Sequence, residues 1–248
     1  MYYDMKGRAW NYLADDCYSW LKLAGSSLRT NYQRIRRKLH DLIIGNWIKY
    51  GDVNEWDRNS ARIEKSNDFQ DVNLWADSTD YPITGTRSMS RKDLFWSYKC
   101  NGAGVRVLTL HDGKGKVKYL SPLYSPKLYD SHWLEMKRDL LEENFPGATI
   151  IADTHFSQGR ELFTKVNFKT PIPEPRPRKR RIDGAEIPQL NQASANFNAE
   201  HRRIRSRVEQ PYARIKRTFR ILEEPFSEGI VQLESIVAIG CGIINRSQ

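Results

Sequence analysis

The stretch Arg202-Arg203-Ile204-Arg205-Ser206-Arg207-Val208-Glu209-Gln210-Pro211-Tyr212-Ala213-Arg214-Ile215-Lys216-Arg217-Thr218-Phe219-Arg220-Ile221-Leu222 is the part against which the rest of the chain is read. Ile204, Val208, Ile215, Phe219 and Leu222 recur at helical spacing, which predicts one buried face. On an ideal helix Arg202, Arg205, Lys216 and Arg220 form a basic stripe beside that face. Glu209 is the one acid in the stripe. Two readings of it stand. One is an i,i+4 surface pair with Arg205, worth roughly a few tenths of a kcal/mol. The other is a metal-binding carboxylate set among phosphate-binding cations. Pro211 deletes one backbone bond and predicts a kink near Arg207.

Downstream, Val231 to Ile244 is apolar enough to form a closing helix packed under the domain. Upstream, Thr170 to Asn198 has a different character. Pro171, Pro173, Pro175 and Pro177 alternate with other residues and lead into Arg178-Lys179-Arg180-Arg181. Proline at this density favours an extended segment. The basic cluster reads as a nuclear address, a phosphate-binding arm or a solvated loop.

Further upstream the period is that of strands. Val72-Asn73-Leu74-Trp75-Ala76-Asp77 reads as a strand ending in an acid, broken later by Pro82 and Gly85. Phe95 to Cys100, Val105 to Leu110 and Val117 to Leu120 are strand candidates. Turn signals at Asn101-Gly102 and Asp112-Gly113 separate them, the pattern of an antiparallel meander. Pro126 to Asn144 reads as a helix carrying Leu134, Leu140 and Leu141. Ala148 to Asp153 is a short buried strand that also ends in an acid. A helix near Gln158–Phe163 and a strand near Val166–Phe168 follow. Three strands followed by alternating helix and strand predict an α/β sheet with helices on its faces.

Residues 1–50 read as helical. Ala9 to Leu23 carries Trp10, Leu13, Cys17, Trp20 and Leu21; Gly25-Ser26-Ser27 reads as a turn. A second helix is expected from Leu28 to about Ile48. Its apolar set is Leu28, Ile35, Leu39, Leu42 and Ile43, and its exposed set includes Arg29, Arg34, Arg36, Arg37 and Lys38. Helix, turn and basic helix give the outline of a helix-turn-helix, or equally of a hairpin packed on the main domain. Residues 51–70 are polar and read as a linker.

The 248 residues carry a net charge of +10, with 39% hydrophobic and 28% charged side chains. That suits one globular domain with an appendage. A pI near 9.5 points to a polyanionic partner, nucleic acid before membrane. The best apolar run, Ser235 to Ile244, is about half of the ~20 residues a membrane span needs. Met1 to Lys6 lacks the order of a signal peptide. Cys17, Cys100 and Cys241 are too few and too scattered for a disulfide framework or a CxxC zinc site, which fits a reducing compartment.

The chemistry rests on acids. Asp77 and Asp153 stand where predicted strands end, and strand ends of an α/β sheet converge on one edge. Asp130 begins a predicted helix, where it suits a cap as well as a site. Glu209 comes from the late basic helix. Carboxylates that meet need a cation between them, and hard oxygen ligands suit Mg²⁺ or Mn²⁺. Two such ions about 4 Å apart activate the attacking oxygen and stabilise the leaving oxygen of a phosphodiester.

On these blocks the chain resembles Harbinger-type transposases of the DDE-superfamily endonucleases, over about residues 70–246. Ala76-Asp77-Ser78-Thr79 matches the family's first-acid strand. Ser125 to Ser131 matches its Pro-Gly-Ser-x-His-Asp-Ser turn, with Ser-Pro for Pro-Gly and Tyr129 for the His. Ile151 to Phe156 matches the Ala-Asp-Ser-Gly-Tyr block, with His155-Phe156 for Gly-Tyr. Arg207-Val208-Glu209 through Leu222 matches the Arg-x-Val-Glu helix, and Ile239-Gly240-Cys241 to Asn245 the terminal Cys-x-x-Leu-His-Asn. The proline-basic insertion, at about 171–197, lengthens the spacing between Asp153 and Glu209.

The resemblance implies an RNase H-like mixed sheet flanked by helices over 71–248, with a small N-terminal helical region. It implies that Asp77, Asp130, Asp153 and Glu209 hold Mg²⁺ or Mn²⁺, with Asp77, Asp153 and Glu209 catalytic. The expected activity is cleavage or transfer of DNA strands. Lys99, Arg205, Arg214, Lys216, Arg217 and Arg220 are expected on the DNA backbone. A separate Myb-like DNA-binding protein is the implied partner and the nucleus the implied location. Oligomeric state is open. The competing reading is a transposase-derived DNA-binding protein without catalysis.

Overall fold

The computed structural model describes residues 25–46, 48, 66–85, 89–173, 190–206, 209–227 and 229–246, and the structural statements below concern these. Six strands form one sheet: β1 (Leu74–Pro82), β2 (Trp96–Ser97), β3 (Gly102–His111), β4 (Val117–Leu120), β5 (Thr149–Ile151) and β6 (Asn167–Lys169). The helices are α1 (Gly25–Asn46), α2 (Asp130–Met136), α3 (Arg138–Asn144), α4 (Gly159–Leu162), α5 (Gln192–Arg205), α6 (Glu209–Thr218) and α7 (Ile230–Arg246). The strand order is β2-β3-β1-β5-β6, with β4 also paired to β3. β1 runs antiparallel to β3, whereas β5 lies parallel to both β1 and β6. This mixed, helix-flanked sheet is RNase H-like.

The turns carry the chemistry the sequence signalled. Asn101 takes a φ of 48° ahead of Gly102, a conformation Asn tolerates better than most residues. Between β3 and β4, the Asp112 carboxylate accepts from the backbone N–H groups of Lys114 and Lys116 at 3.0 and 2.9 Å.

Side chains alternate across a strand, so β1 and β3 build two cores. Tyr81, Val105 and Val107 face Ile215, Phe219 and the apolar side of α7. Leu74, Ala76, Leu108 and Leu110 face Trp133, Leu134, Leu141 and Phe145. A third cluster joins Trp75 and Ile151 to Ile204 and Phe69. No described helix is long and apolar enough to cross a membrane.

Several elements depart from the expected bounds. β1 does not end at Asp77 but continues to Pro82, because β3 pairs with it from Trp75 to Pro82. The helix expected over Pro126–Asn144 divides at Lys137 into α2 and α3. The basic helix also comes in two pieces, with Pro211 in the first turn of α6, where a missing N–H costs no intrahelical bond. Ile204, Ile215, Phe219 and Leu222 are buried as their spacing predicts. Gly25-Ser26-Ser27 is the first turn of α1 rather than a loop. The packed side of α1 differs from the expected one: Arg36 is 2% exposed and Ile43 1%, while Ile35 stands 54% exposed. Contact with α7 selects a narrow stripe through Arg36, Leu39 and Ile43, and Ile35 and Leu42 fall on its flanks. The helix expected at Ala9–Leu23, most of the 51–70 linker, and Pro175 to Arg181 lie outside the described residues.

One hydrogen bond fixes α5 to the sheet. The carbonyl of Ile204 lies in the last turn of α5, where helical carbonyls lack an intrahelical partner. The Trp75 indole Nε1–H donates to it at 3.2 Å, from the middle of the sheet. Trp75→Phe removes the donor, leaves that buried carbonyl unsatisfied and opens a small cavity beside it. Urea unfolding is expected to show a loss of about 1–3 kcal/mol; unchanged stability would show that this bond adds nothing to the hold on α5.

Candidate active site

The parallel pairing of β1 with β5 extends through Leu74↔Ile150 and Trp75↔Ile151. Two residues further along each chain stand Asp77 and Asp153. β1 continues, held by β3 on its other side, while β5 gives way to a 3₁₀ turn at Thr154–Phe156. The sheet therefore opens at this point, and the two acids face the opening. Asp153 caps the 3₁₀ turn, its Oδ1 accepting from the His155 N–H at 2.8 Å. Its Oδ2 lies 3.6 Å from Arg205 Nη2. The same Nη2 lies 3.4 Å from Asp77 Oδ1. One guanidinium thus spans both carboxylates, whose side chains are 15% and 28% exposed for Asp77 and Asp153.

Arg205 reaches this position because α5 is held on both sides of the strand ends. Trp75 secures Ile204, as described above. His201, one turn earlier on α5, sits buried with Nε2 at 2.9 Å from the Ala152 carbonyl and 3.2 Å from that of Lys169. Both partners are acceptors, so Nε2 carries the proton. Burial holds the His201 pKa below its ordinary value, which keeps the ring neutral. The side chain of Arg205 therefore makes a tertiary contact with the strand ends, beyond the local pairing its sequence suggested. Its buried Nε meets no hydrogen-bond partner among the described residues.

Asp130 lies on the other face of β1. Ser78, the neighbour of Asp77, points the opposite way, and its Oγ donates to Asp130 Oδ2 at 3.2 Å. The Tyr124 hydroxyl donates to Asp130 Oδ1 at 3.2 Å, and Arg106 Nη1 lies 3.7 Å away. Arg106 also forks onto Asp80, with Nε–Oδ1 at 2.7 Å, and Ser97 Oγ donates to the same carboxylate at 2.6 Å. Asp130 begins α2 without acting as a side-chain cap; the N-cap is Tyr129. Burial raises the Asp130 carboxyl, with Arg106 opposing.

The basic helix closes over the Asp77 face. The Tyr212 hydroxyl donates to the Asp77 carbonyl at 2.7 Å and accepts from Thr109 Oγ1, also at 2.7 Å. Lys216 Nζ donates to the Asp80 carbonyl at 3.3 Å and lies 5.2 Å from the centre of the Tyr81 ring. Lys99 Nζ donates to the Ser78 carbonyl at 2.7 Å. Arg214 and Arg217 are exposed on α6. Glu209 begins α6, just beyond the end of α5; its side chain and that of Arg220 lie outside the described residues.

The structure thus brings Asp77, Asp153 and Arg205 together, with Lys99 and Lys216 along the same part of β1. Asp130 has its own hydrogen-bond partners, yet it lies near enough to Asp153 for that charge to raise its carboxyl. Tyr212, His201, Arg106 and Asp80 were not signalled as site residues. His201 was open to detection, lying one turn before Arg205 on the helix; the Asp80–Arg106 pairing depends on strand register, which places the two residues opposite each other.

Burial raises the Asp77 carboxyl from the ordinary 3.8 to about 6, with Arg205 and Lys99 pulling the other way and Asp153 adding to the rise. Ionised carboxylate oxygens in a partly buried pair are the hard donors a divalent cation takes. A guanidinium already sits between them as a cation, so the donor chemistry of Asp77 and Asp153 fits such an ion. Among the described residues, no group of three or more His, Cys, Asp and Glu side chains is arranged to hold a metal.

A mixed RNase H-like sheet with an acid on each of its two central parallel chains is a framework for phosphodiester chemistry. The family is shown by direct comparison: a family model described as DDE superfamily endonuclease matches residues 76–245, and the chain belongs to that family. Neither the curated proteins nor the solved structures yielded a match. DNA is the substrate such a nuclease domain implies, and divalent metal is the superfamily's usual cofactor.

The raised Asp77 carboxyl has a consequence for stability. In the metal-free fold it holds its proton more tightly than in the unfolded chain. Stability from this group is therefore present below pH ~4 and falls as pH rises towards ~6, by on the order of 2–3 kcal/mol. Asp77→Asn is expected to remove that part of the fall, read by urea unfolding in EDTA at pH 4.5 and pH 7. Parallel losses in both proteins would assign the pH dependence to other groups.

Proposed function

We propose that the chain is a divalent-metal-dependent endonuclease or transposase of Harbinger type. The observation that carries this reading is the carboxylate pair Asp77 and Asp153 at the open end of β1 and β5, joined through a cation beneath a basic helix. Asp77, Asp153 and Glu209 would hold the metal. Asp130 would add to it from the opposite face of β1 only after releasing Ser78 and Tyr124. When bound, Mg²⁺ or Mn²⁺ would lower the pKa of an attacking oxygen and stabilise the leaving one. Water, or a DNA 3′-hydroxyl, attacks the phosphorus as the opposite P–O bond breaks. Lys99, Arg205, Lys216 and the exposed cations of α6 hold the strand by its phosphates.

Nicking of supercoiled plasmid in Mg²⁺ or Mn²⁺ tests this. Asp77→Asn, Asp153→Asn and Glu209→Gln are each expected to lower the nicking rate by about 10²–10³-fold, the size of effect seen when a group that stabilises transition-state charge is removed. Circular dichroism should show the fold retained. Metal-independent nicking, or full activity in any of the three, would overturn the reading. A second reading, a DNA-binding protein without catalysis, is favoured by one observation: Arg205 already lies against both acids. Absence of nicking with DNA binding intact would support it.

Target recognition is assigned to a separate Myb-like partner, and the Arg176 to Arg181 segment to nuclear delivery. The isolated chain is then expected to bind DNA in the non-specific range of about 10⁻⁴–10⁻⁶ M at physiological salt. Mobility-shift competition between genomic and random duplexes measures this. Discrimination above about 10³-fold would place the sequence reader within this chain.

A further inference from the structure

We propose that the cleft beside the acid pair seats one unpaired nucleotide of the DNA strand, with its phosphate between Lys99 and Lys216. The proposal rests on the nuclease reading above and adds a subsite to it. The cleft has a volume of about 440 Å³ and is lined by Thr79, Pro82, Lys99, Lys216, Leu222 and Pro225, among others. That volume falls within the roughly 300–1,000 Å³ of small-ligand sites. Its position relative to the acids follows from the strand. Thr79 is two residues beyond Asp77 on the same face of β1. Lys99 is near enough to Asp77 to pull its carboxyl down.

The polar side of the cleft calls for an anion. Lys99 and Lys216 each donate one bond to a β1 carbonyl, Ser78 at 2.7 Å and Asp80 at 3.3 Å. An ammonium has three protons, so each has further donors to offer. Both cations line the cleft, near enough for the charge of Lys99 to act on Lys216. Burial, with Lys99 adding to it, holds Lys216 below its ordinary pKa. The Asp80 carboxylate is engaged by Arg106 and Ser97, at 2.7 and 2.6 Å. Glu223, exposed, also lines the cleft and its charge partly offsets the lowering of Lys216. A phosphate between the ammonium groups would relieve their repulsion and accept from both.

The remaining wall makes the ligand more than a phosphate. Pro82 and Pro225 add carbon surface to the cleft, above the buried Leu222. Inorganic phosphate leaves that surface wet, whereas the sugar and base face of a nucleotide cover it. A carbon wall accepts any base, so the subsite selects for an exposed base rather than a sequence. A base can lie on it only when unstacked and unpaired. The cleft therefore favours single-stranded or frayed DNA next to the acid pair.

Cys100 lines the same cleft and supplies a local reporter. Its labelling by a methanethiosulfonate reagent is followed in EDTA, where no cleavage takes place. Peptide mapping separates it from Cys17 and Cys241. The probes are inorganic phosphate, thymidine monophosphate, a short thymidine oligonucleotide and a blunt duplex. The oligonucleotide is expected to slow Cys100 labelling about tenfold more than the duplex does, with the mononucleotide exceeding phosphate. Lys216→Ala should lose most of that protection. Lys99→Gln, at an exposed turn position, should do the same and guards against a folding defect in the first variant. Equal protection by single strand and duplex, or protection unchanged in both variants, would overturn the subsite. Nicking by the same preparation in Mn²⁺ separates the two claims. Nicking without Cys100 protection sinks the subsite alone; protection without nicking retains the subsite and sinks the nuclease reading.

Discussion

Asp77 and Asp153 stand at the open end of two parallel chains, and the single guanidinium of Arg205 lies against both. Two unit charges about 4 Å apart interact by roughly 4 kcal/mol at the effective dielectric of a protein surface. That is a large part of the ~5–15 kcal/mol by which a domain is stable at all. A cation between the acids therefore offsets part of their repulsion, though burial still raises the Asp77 carboxyl. The demand passes outward. Arg205 reaches the acids only if α5 ends beside them. The end of α5 is fixed by Trp75 on the Ile204 carbonyl and by His201 on the carbonyls of Ala152, just after β5, and Lys169, which ends β6.

The period of the strand sorts the other acids. Asp77 and its neighbour Ser78 point to opposite faces of β1, so acids close in sequence enter different surroundings. On the Ser78 face, Asp80 and Asp130 share Arg106 and are further satisfied by Ser97, Ser78 and Tyr124. That network is buried and supplied with hydrogen bonds from several sides. On the Asp77 face, the two acids share one cation and keep part of their surface in solvent. Both faces carry charge, but only the Asp77 face leaves carboxylate oxygens accessible from outside. One set of acids is thus supplied with hydrogen bonds from several sides, while the other shares a single cation.

The sequence made the regular parts legible because they are local. Alternating apolar residues and the Asn101-Gly102 turn mark the meander, and helical spacing marks the buried side of the basic helix. The expected strand ends at Asp77 and Asp153 already indicated convergence at one edge, although β1 runs on past Asp77. What was not legible depends on distant partners. β1 extends beyond Asp77 because β3 pairs with it, and no residue within β1 signals that. Arg205 has a local acid four residues away, so its reach to Asp77, 128 residues distant in sequence, is hidden by a simpler pairing. The opposition of Asp80 and Arg106 exists only in the register of two strands. Burial of Arg36 likewise follows from the angle at which α1 meets α7, which helical periodicity leaves undetermined.

The open sheet end raises a difficulty of its own. A strand that runs beyond its partner leaves backbone carbonyls without their ladder bonds, and buried acceptors left so are costly. Along β1 the carbonyls of Ser78 and Asp80, both beyond the last β5 pairing, accept instead from Lys99 and Lys216. Neutral donors such as Asn or Gln would satisfy these carbonyls equally well. Lysine does so while leaving positive charge beside the acids. That charge opposes the rise of the Asp77 carboxyl in the case of Lys99, and in both cases it attracts an approaching phosphate. A strand ending that exposes the acids thus also requires donors at its edge. When those donors are cationic, completing the sheet and attracting a polyanion are accomplished by the same two side chains.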